Sequence, residues 1–215
     1  MSTLILTILI IISALLHLWA EYNGPPIQIY IFKPLTTSLI IILAALAKPP
    51  VNRRYNTALI IGLIFSLGGD VLLMLPFDLF VLGLVSFLIA HLVYIYAFKG
   101  ARPWRLNWMS ALVCLAYGVG IFLVLAPGLG DMTIPVIAYI LVIIIMAYTA
   151  WEQWQQTHSR WALLAFIGAL LFVLADTILA INKFRFPFLA GRALNLSTYF
   201  AAQWLISRSI SKTEK

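Results

Sequence analysis

A single cysteine, Cys114, stands in the whole chain, so no internal disulfide can form and no cysteine-based metal site is available. Charge is nearly as scarce. Asp, Glu, Lys and Arg make up 10% of the 215 residues, against about 25% in ordinary soluble domains. No low-complexity stretch or long polar linker interrupts the chain. It also has no phosphate-cradling glycine loop, no Gly-x-Ser-x-Gly elbow and no zinc-binding histidine pair at i, i+4. The net charge of +7 does not point to nucleic acid, because the basic residues are scattered at the ends of apolar runs. Membrane proteins keep their charges there. What is abundant is apolar: 63% of residues are hydrophobic and the mean hydropathy is +1.03. Spanning a bilayer takes roughly 20 mostly apolar residues, so the length admits at most about eight or nine spans with short loops and no soluble domain.

Apolar runs and breakers predict an all-α, polytopic bundle of about eight transmembrane helices, over 2–20, 29–47, 56–75, 79–98, 105–126, 133–150, 160–182 and 188–207. The whole chain, 1–215, reads as one transmembrane helical domain. The first run lacks a basic n-region and a small-x-small cleavage site, so it reads as the first membrane helix rather than a leader. The breaks carry turn chemistry at Asn23-Gly24-Pro25-Pro26, Pro49-Pro50, Pro76, Pro103, Pro127-Gly128 and Pro187. Lys48, Arg53, Arg54, Lys99, Arg102, Arg105, Arg160, Arg208, Lys212 and Lys215 fall on one side of the alternating helices. Only Lys33, Lys183, Arg185 and Arg192 fall on the other. The positive-inside rule then places both termini in the cytoplasm, with a bacterial inner membrane as the expected setting. Trp19, Trp104, Trp108, Trp151 and Trp161 lie near helix ends and read as an interfacial aromatic belt, while His158 sits in a polar loop and reads as solvated.

The chain also repeats itself. Gly62 to Leu73 reads GLIFSLGGDVLL and Gly168 to Leu179 reads GALLFVLADTIL. Each places an aspartate at the same interval after a glycine. Each is followed by a helix opening on Phe-x-x-Gly, Phe80 to Gly83 and Phe188 to Gly191. A four-plus-four parallel duplication is one reading, and such repeats often hold a site at their interface. Chance likeness of apolar helices is the other.

Asp70 and Asp176 are the candidate catalytic pair. Each lies inside an apolar helix, roughly 20 Å from the cytoplasmic end of its span by helix rise. An intramembrane carboxylate costs about 2.5–3.5 kcal/mol on insertion scales and is usually functional. The plainer reading is that each one bonds a neighbouring helix. His91, near mid-membrane, shares a face with Phe87, Tyr94 and Phe98. A second polar stripe, Arg192, Asn195, Tyr199 and Gln203, occupies the last helix, and residues at this spacing turn inward from lipid. Here interhelical adhesion and substrate contact remain open alternatives. Lys33, Lys183, Arg185 and Arg192 gather at the face nearer the two aspartates. There they could form a cationic rim for a phosphate headgroup or serve as ordinary interfacial anchors.

Five segments resemble the YhhN family, which includes the animal lysoplasmalogenases. They are AEYNGPPIQIYIFKPLT at 20–36, with Lys33-Pro34; FSLGGDVLLMLP at 65–76; GLVSFLIAHLVYIYAF at 83–98, with His91 and Tyr94; GALLFVLADTILAINKF at 168–184; and YFAAQWLI at 199–206. The resemblance implies an eight-helix membrane hydrolase acting on lysoplasmalogen-type lysophospholipids. It would cleave the vinyl ether to a fatty aldehyde and a glycerophospho-alcohol. Vinyl ethers hydrolyse by proton transfer to the β-carbon, giving an oxocarbenium ion that water attacks. Two carboxyls in a low-dielectric site suit this chemistry, one protonated as acid and one charged to stabilise the cation and orient the water. The sequence leaves open which aspartate is the acid. No metal or organic cofactor is required by this chemistry. The expected partners are the lysophospholipid, held by Lys33, Tyr94, Lys183, Arg192, Asn195, Tyr199 and Gln203, and the bilayer itself. A proton-coupled transporter using the same aspartates is the alternative of a different class. A zinc hydrolase built on His91 ranks last, for want of nearby histidines.

Overall fold

The computed structural model describes residues 3–103 and 106–212. Trp104, Arg105 and Lys215, which enter the belt and charge readings above, lie outside the described residues. The described chain forms eight α-helices: α1 (Thr3–Asn23), α2 (Pro26–Ala45), α3 (Arg53–Met74), α4 (Phe80–Lys99), α5 (Trp108–Leu125), α6 (Thr133–Thr157), α7 (Arg160–Phe184) and α8 (Gly191–Arg208). Two 3₁₀ turns, Ala126–Gly128 and Gly130–Met132, join α5 to α6. The first seven helices are each long and apolar enough to cross a membrane. Their outward faces carry large aliphatic side chains in the open, such as Leu4, Ile64, Leu112, Leu123 and Ile134. Only contact with lipid makes such a surface favourable.

Local chemistry accounts for the boundaries. α2 starts at Pro26, where the missing N–H costs nothing because the first helical donors have no internal partner. Asn52, Asn107 and Ser159 cap α3, α5 and α7, each accepting from the backbone N–H three residues on. The expected end of α6 at 150 is too early. The polar run after it continues the helix to Thr157, because Glu152 and Gln153 turn into the bundle and are buried. His158 then ends α6 in a left-handed conformation (φ 46°), exposed as expected. α8 is the least apolar helix and is not among the seven. Two of its polar side chains face inward, with Gln203 fully buried and Tyr199 5% exposed.

The most extensive helix pairs are α3–α4 and α7–α8. Both depend on a glycine. A Cβ on Gly62 would collide with the Tyr94 ring of α4, and one on Gly168 would press on the Ala202 carbonyl and Ile206 of α8. Around these pairs α2 packs against α1, α3 and α8, while α6 packs against α4, α5 and α7. Exchanging the first four helices with the last four turns the α4–α6 contact into the α8–α2 contact, which is the relation a parallel duplication predicts. α5 stands outermost, with only Gly118 and Leu125 buried. At the end where the basic residues concentrate, Val51 N–H donates to the Ile210 carbonyl and Lys212 N–H to that of Pro49, pinning the C-terminal segment to the α2–α3 connection.

Candidate functional site

Asp70 is sealed inside the bundle at 1% exposure. Its Oδ2 accepts from Thr37 Oγ1 of α2 at 2.6 Å and from the Tyr199 hydroxyl of α8 at 2.8 Å. The Lys33 ammonium of α2 stands 3.7 Å from Oδ1. One cation and two hydroxyl donors surround this carboxylate, a set that suits an anion. Lys33 is therefore turned to Asp70 rather than set on an open rim.

Asp176 has different surroundings. The Tyr139 hydroxyl of α6 donates to its Oδ2 at 2.5 Å. His91 Nε2 of α4 stands 3.7 Å from the same oxygen and has no hydrogen-bond partner. The other ring nitrogen, Nδ1, lies 2.7 Å from the Phe87 carbonyl. A carbonyl only accepts, so Nδ1 carries the hydrogen and a neutral His91 presents a bare lone pair to Asp176. The Asp176 side chain keeps 15% exposure. It opens on a narrow, almost wholly apolar cleft of about 60 Å³, whose walls include Phe80, Phe87, Tyr117, Ile140, Val173 and Phe184.

The two carboxyls share no hydrogen bond. Edge-packed rings, Phe87, Phe172 and Tyr199, link the two settings, with centroids 5.4–6.1 Å apart. Their settings are related by the repeat. Laying Gly62 on Gly168 superposes Asp70 on Asp176 and brings Lys33 onto Tyr139. Laying Gly83 on Gly191 brings His91 onto Tyr199. Each aspartate is thus held by the helix before it and by the last helix of the opposite half. One setting is closed with a lysine, and the other is left open with a histidine.

The remaining candidates separate into groups. Tyr94 donates to Gln203 at 3.0 Å, tying α4 to α8 about one turn beyond the carboxylates. Asn195 is half-buried on α8, where its backbone carbonyl accepts from Thr198. Arg192 is exposed and pairs with Glu21 of α1 at 3.4 Å. Lys183 stands 4.9 Å from the centre of the ring of Phe80, a wall of the cleft, and Arg185 lies over Phe186. Sequence reasoning passed over Thr37 and Tyr139. Thr37 follows Lys33 by one helical turn, and Tyr139 is the position that the repeat register places on Lys33. It also passed over His17, fully buried and 3.5 Å from Glu21.

The YhhN family model matches residues 28–210. The uncharacterized membrane protein YhhN of Escherichia coli O157:H7 is 31% identical over 203 residues, covering 94% of this chain and 97% of that protein. Lysoplasmalogenase TMEM86A of Bos taurus is 38% identical over 158 residues, 71% of this chain and 65% of that protein. Lysoplasmalogenase TMEM86B of Homo sapiens is 36% identical over 148 residues, 69% of this chain and 61% of that protein. No solved structure matches the chain.

Proposed function

The chain belongs to the YhhN family, and on that premise we propose that it is a membrane-embedded hydrolase that cleaves the vinyl ether of lysoplasmalogen-type lysophospholipids. The observation that carries the reading is Asp176, an intramembrane carboxyl opening on an apolar cleft between a phenol and an imidazole lone pair. Two relatives bear the name lysoplasmalogenase, which supports the same substrate class.

The reaction then runs through Asp176 as acid. Its carboxyl proton passes to the β-carbon of the vinyl ether, with the His91 Nε2 lone pair 3.7 Å from Oδ2. The electron pair of the ether oxygen forms the oxocarbenium ion. Tyr139 and the new carboxylate face that cation, while Asp70, fixed as an anion, adds its field. Water adds to the α-carbon and its proton returns to the Asp176–His91 pair. The hemiacetal collapses to a fatty aldehyde and a glycerophospho-alcohol. Purified protein should release aldehyde from 1-alkenyl but not from saturated 1-alkyl lysophospholipid, with no loss on adding chelator. Proton flux through reconstituted protein without aldehyde release would replace the enzyme with the transporter.

Lys183 is the headgroup contact in this reading, since it stands over Phe80, a wall of the cleft. Phosphate is bound alike in ground and transition states, so Lys183→Ala should raise KM several-fold with little change in kcat. A loss confined to kcat would remove Lys183 from the headgroup site. The Lys/Arg asymmetry supports cytoplasmic termini, with the cleft then nearer the outer face of the membrane. In a Cys114→Ala background, cysteines added at either terminus should resist impermeant maleimide in intact cells. Labelling of the C-terminal cysteine from outside would overturn this orientation.

A further inference from the structure

The cleft at Asp176 is too small for a lipid. Pockets that enclose a ligand of drug size hold several hundred Å³, and this one offers about 60 Å³. It accommodates the reacting end of a chain and not the chain itself. A second space lies beside it. Between α5 and α6 runs an apolar groove of about 690 Å³, lined among others by Ala111, Cys114 and Gly118 of α5 and by Ile137, Ile144 and Tyr148 of α6. The two spaces share two walls, Ile140 and Ile144. At that shared wall α5 comes in close, since a Cβ on Gly118 would collide with Ile144.

The groove has a direction. It begins at Ile137, within one turn of Tyr139, and runs along α6 to Tyr148, roughly 17 Å by helix rise. That course leads away from Lys183 and toward the opposite membrane face. A lysolipid with its phosphate at Lys183 and its vinyl ether at Asp176 has one remaining part, a single alkyl chain pointing the same way. α5 is held beside the reacting carboxyl by a bond between the Tyr117 hydroxyl and Thr177 Oγ1 at 2.7 Å, Thr177 being the residue after Asp176. Elsewhere α5 packs loosely, so the groove is open to the bilayer along its length.

We infer that the α5–α6 groove seats the single alkyl chain of the lysophospholipid and sets the chain length the enzyme accepts, the chain entering sideways from the bilayer. This rests on the substrate class proposed above, and two measurements separate the two claims. Ala111 lines the far part of the groove and touches none of the reacting groups. Ala111→Trp should lower kcat/KM for an octadecenyl lysophospholipid about tenfold relative to a decenyl one. Cys114 is the chain's one thiol and lines the groove. In the unaltered protein, saturated octadecyl-ether lysophosphatidylcholine should slow its reaction with N-ethylmaleimide about tenfold, and the decyl analogue far less. The saturated ether cannot be hydrolysed, so this arm reads occupancy whether or not the protein is an enzyme. Chain-length-dependent protection without alkenyl hydrolysis keeps the groove and overturns the proposed reaction. Hydrolysis with no protection of Cys114, or an equal effect of Ala111→Trp on both chain lengths, overturns the groove.

Discussion

Asp176→Asn should lower kcat for alkenyl ether hydrolysis by on the order of 10³, while the protein still inserts and keeps its thermal stability. A positioned general acid contributes 10²–10⁴-fold, and an amide has no proton of comparable acidity to give. The fold should tolerate the change because Asp176 retains 15% exposure at the cleft. An asparagine carbonyl can also go on accepting from Tyr139, which now bonds Oδ2. His91→Gln should follow it with a smaller loss, since the imidazole stands beside the acid and gives no proton to carbon itself. Near-normal turnover by well-folded Asp176→Asn would dismiss Asp176 as the acid.

The second large effect is on stability. Asp70→Asn leaves Lys33, 12% exposed, without its counter-charge inside the bundle. Breaking a buried pair from one side costs about 3–5 kcal/mol, which in a chain of this size lowers the unfolding temperature by on the order of 10 °C. The double variant Lys33→Met/Asp70→Asn removes the stranded cation, and most of that loss should return. The Thr37 and Tyr199 donors remain satisfied by the asparagine carbonyl. Thermal unfolding in detergent of wild type, single and double variants measures the coupling. A double variant no more stable than Asp70→Asn would show that the Lys33–Asp70 pair does not hold α2 to α3.

Much of the site was legible because intramembrane polarity is rare. An ionisable residue inside an apolar run has so few tolerable settings that Asp70, Asp176 and His91 marked themselves. The inward turn of Tyr199 and Gln203 followed from helical spacing. What the spacing could not report was the pairing. Lys33 looked like a rim cation by its place near a helix end, yet its long side chain reaches down to Asp70. Arg192 stood in the same expected rim, and α1 brings Glu21 to it. Tyr139 drew no notice, since a tyrosine in an apolar helix resembles any interfacial aromatic until the facing helix is known. The end of α6 was misplaced because burial of Glu152 and Gln153 is a property of the neighbouring helices and leaves no local trace.

By itself the sequence determined that this chain is a bundle of about eight helices in a membrane, where most of those helices start and stop, and that two aspartates sit at matching positions in a repeated frame. Those properties follow from hydrophobic length, turn residues and the cost of charge in lipid, all of which act along the chain. Only the tertiary structure decided that the two aspartates differ. Helices from opposite halves of the repeat meet at each carboxyl. One pairing brings a lysine and two hydroxyls and closes the space, while the other brings a tyrosine and a histidine and leaves a cleft. Partners distant in sequence are chosen by packing, and packing is what gives two nearly equal sequence motifs their different surroundings.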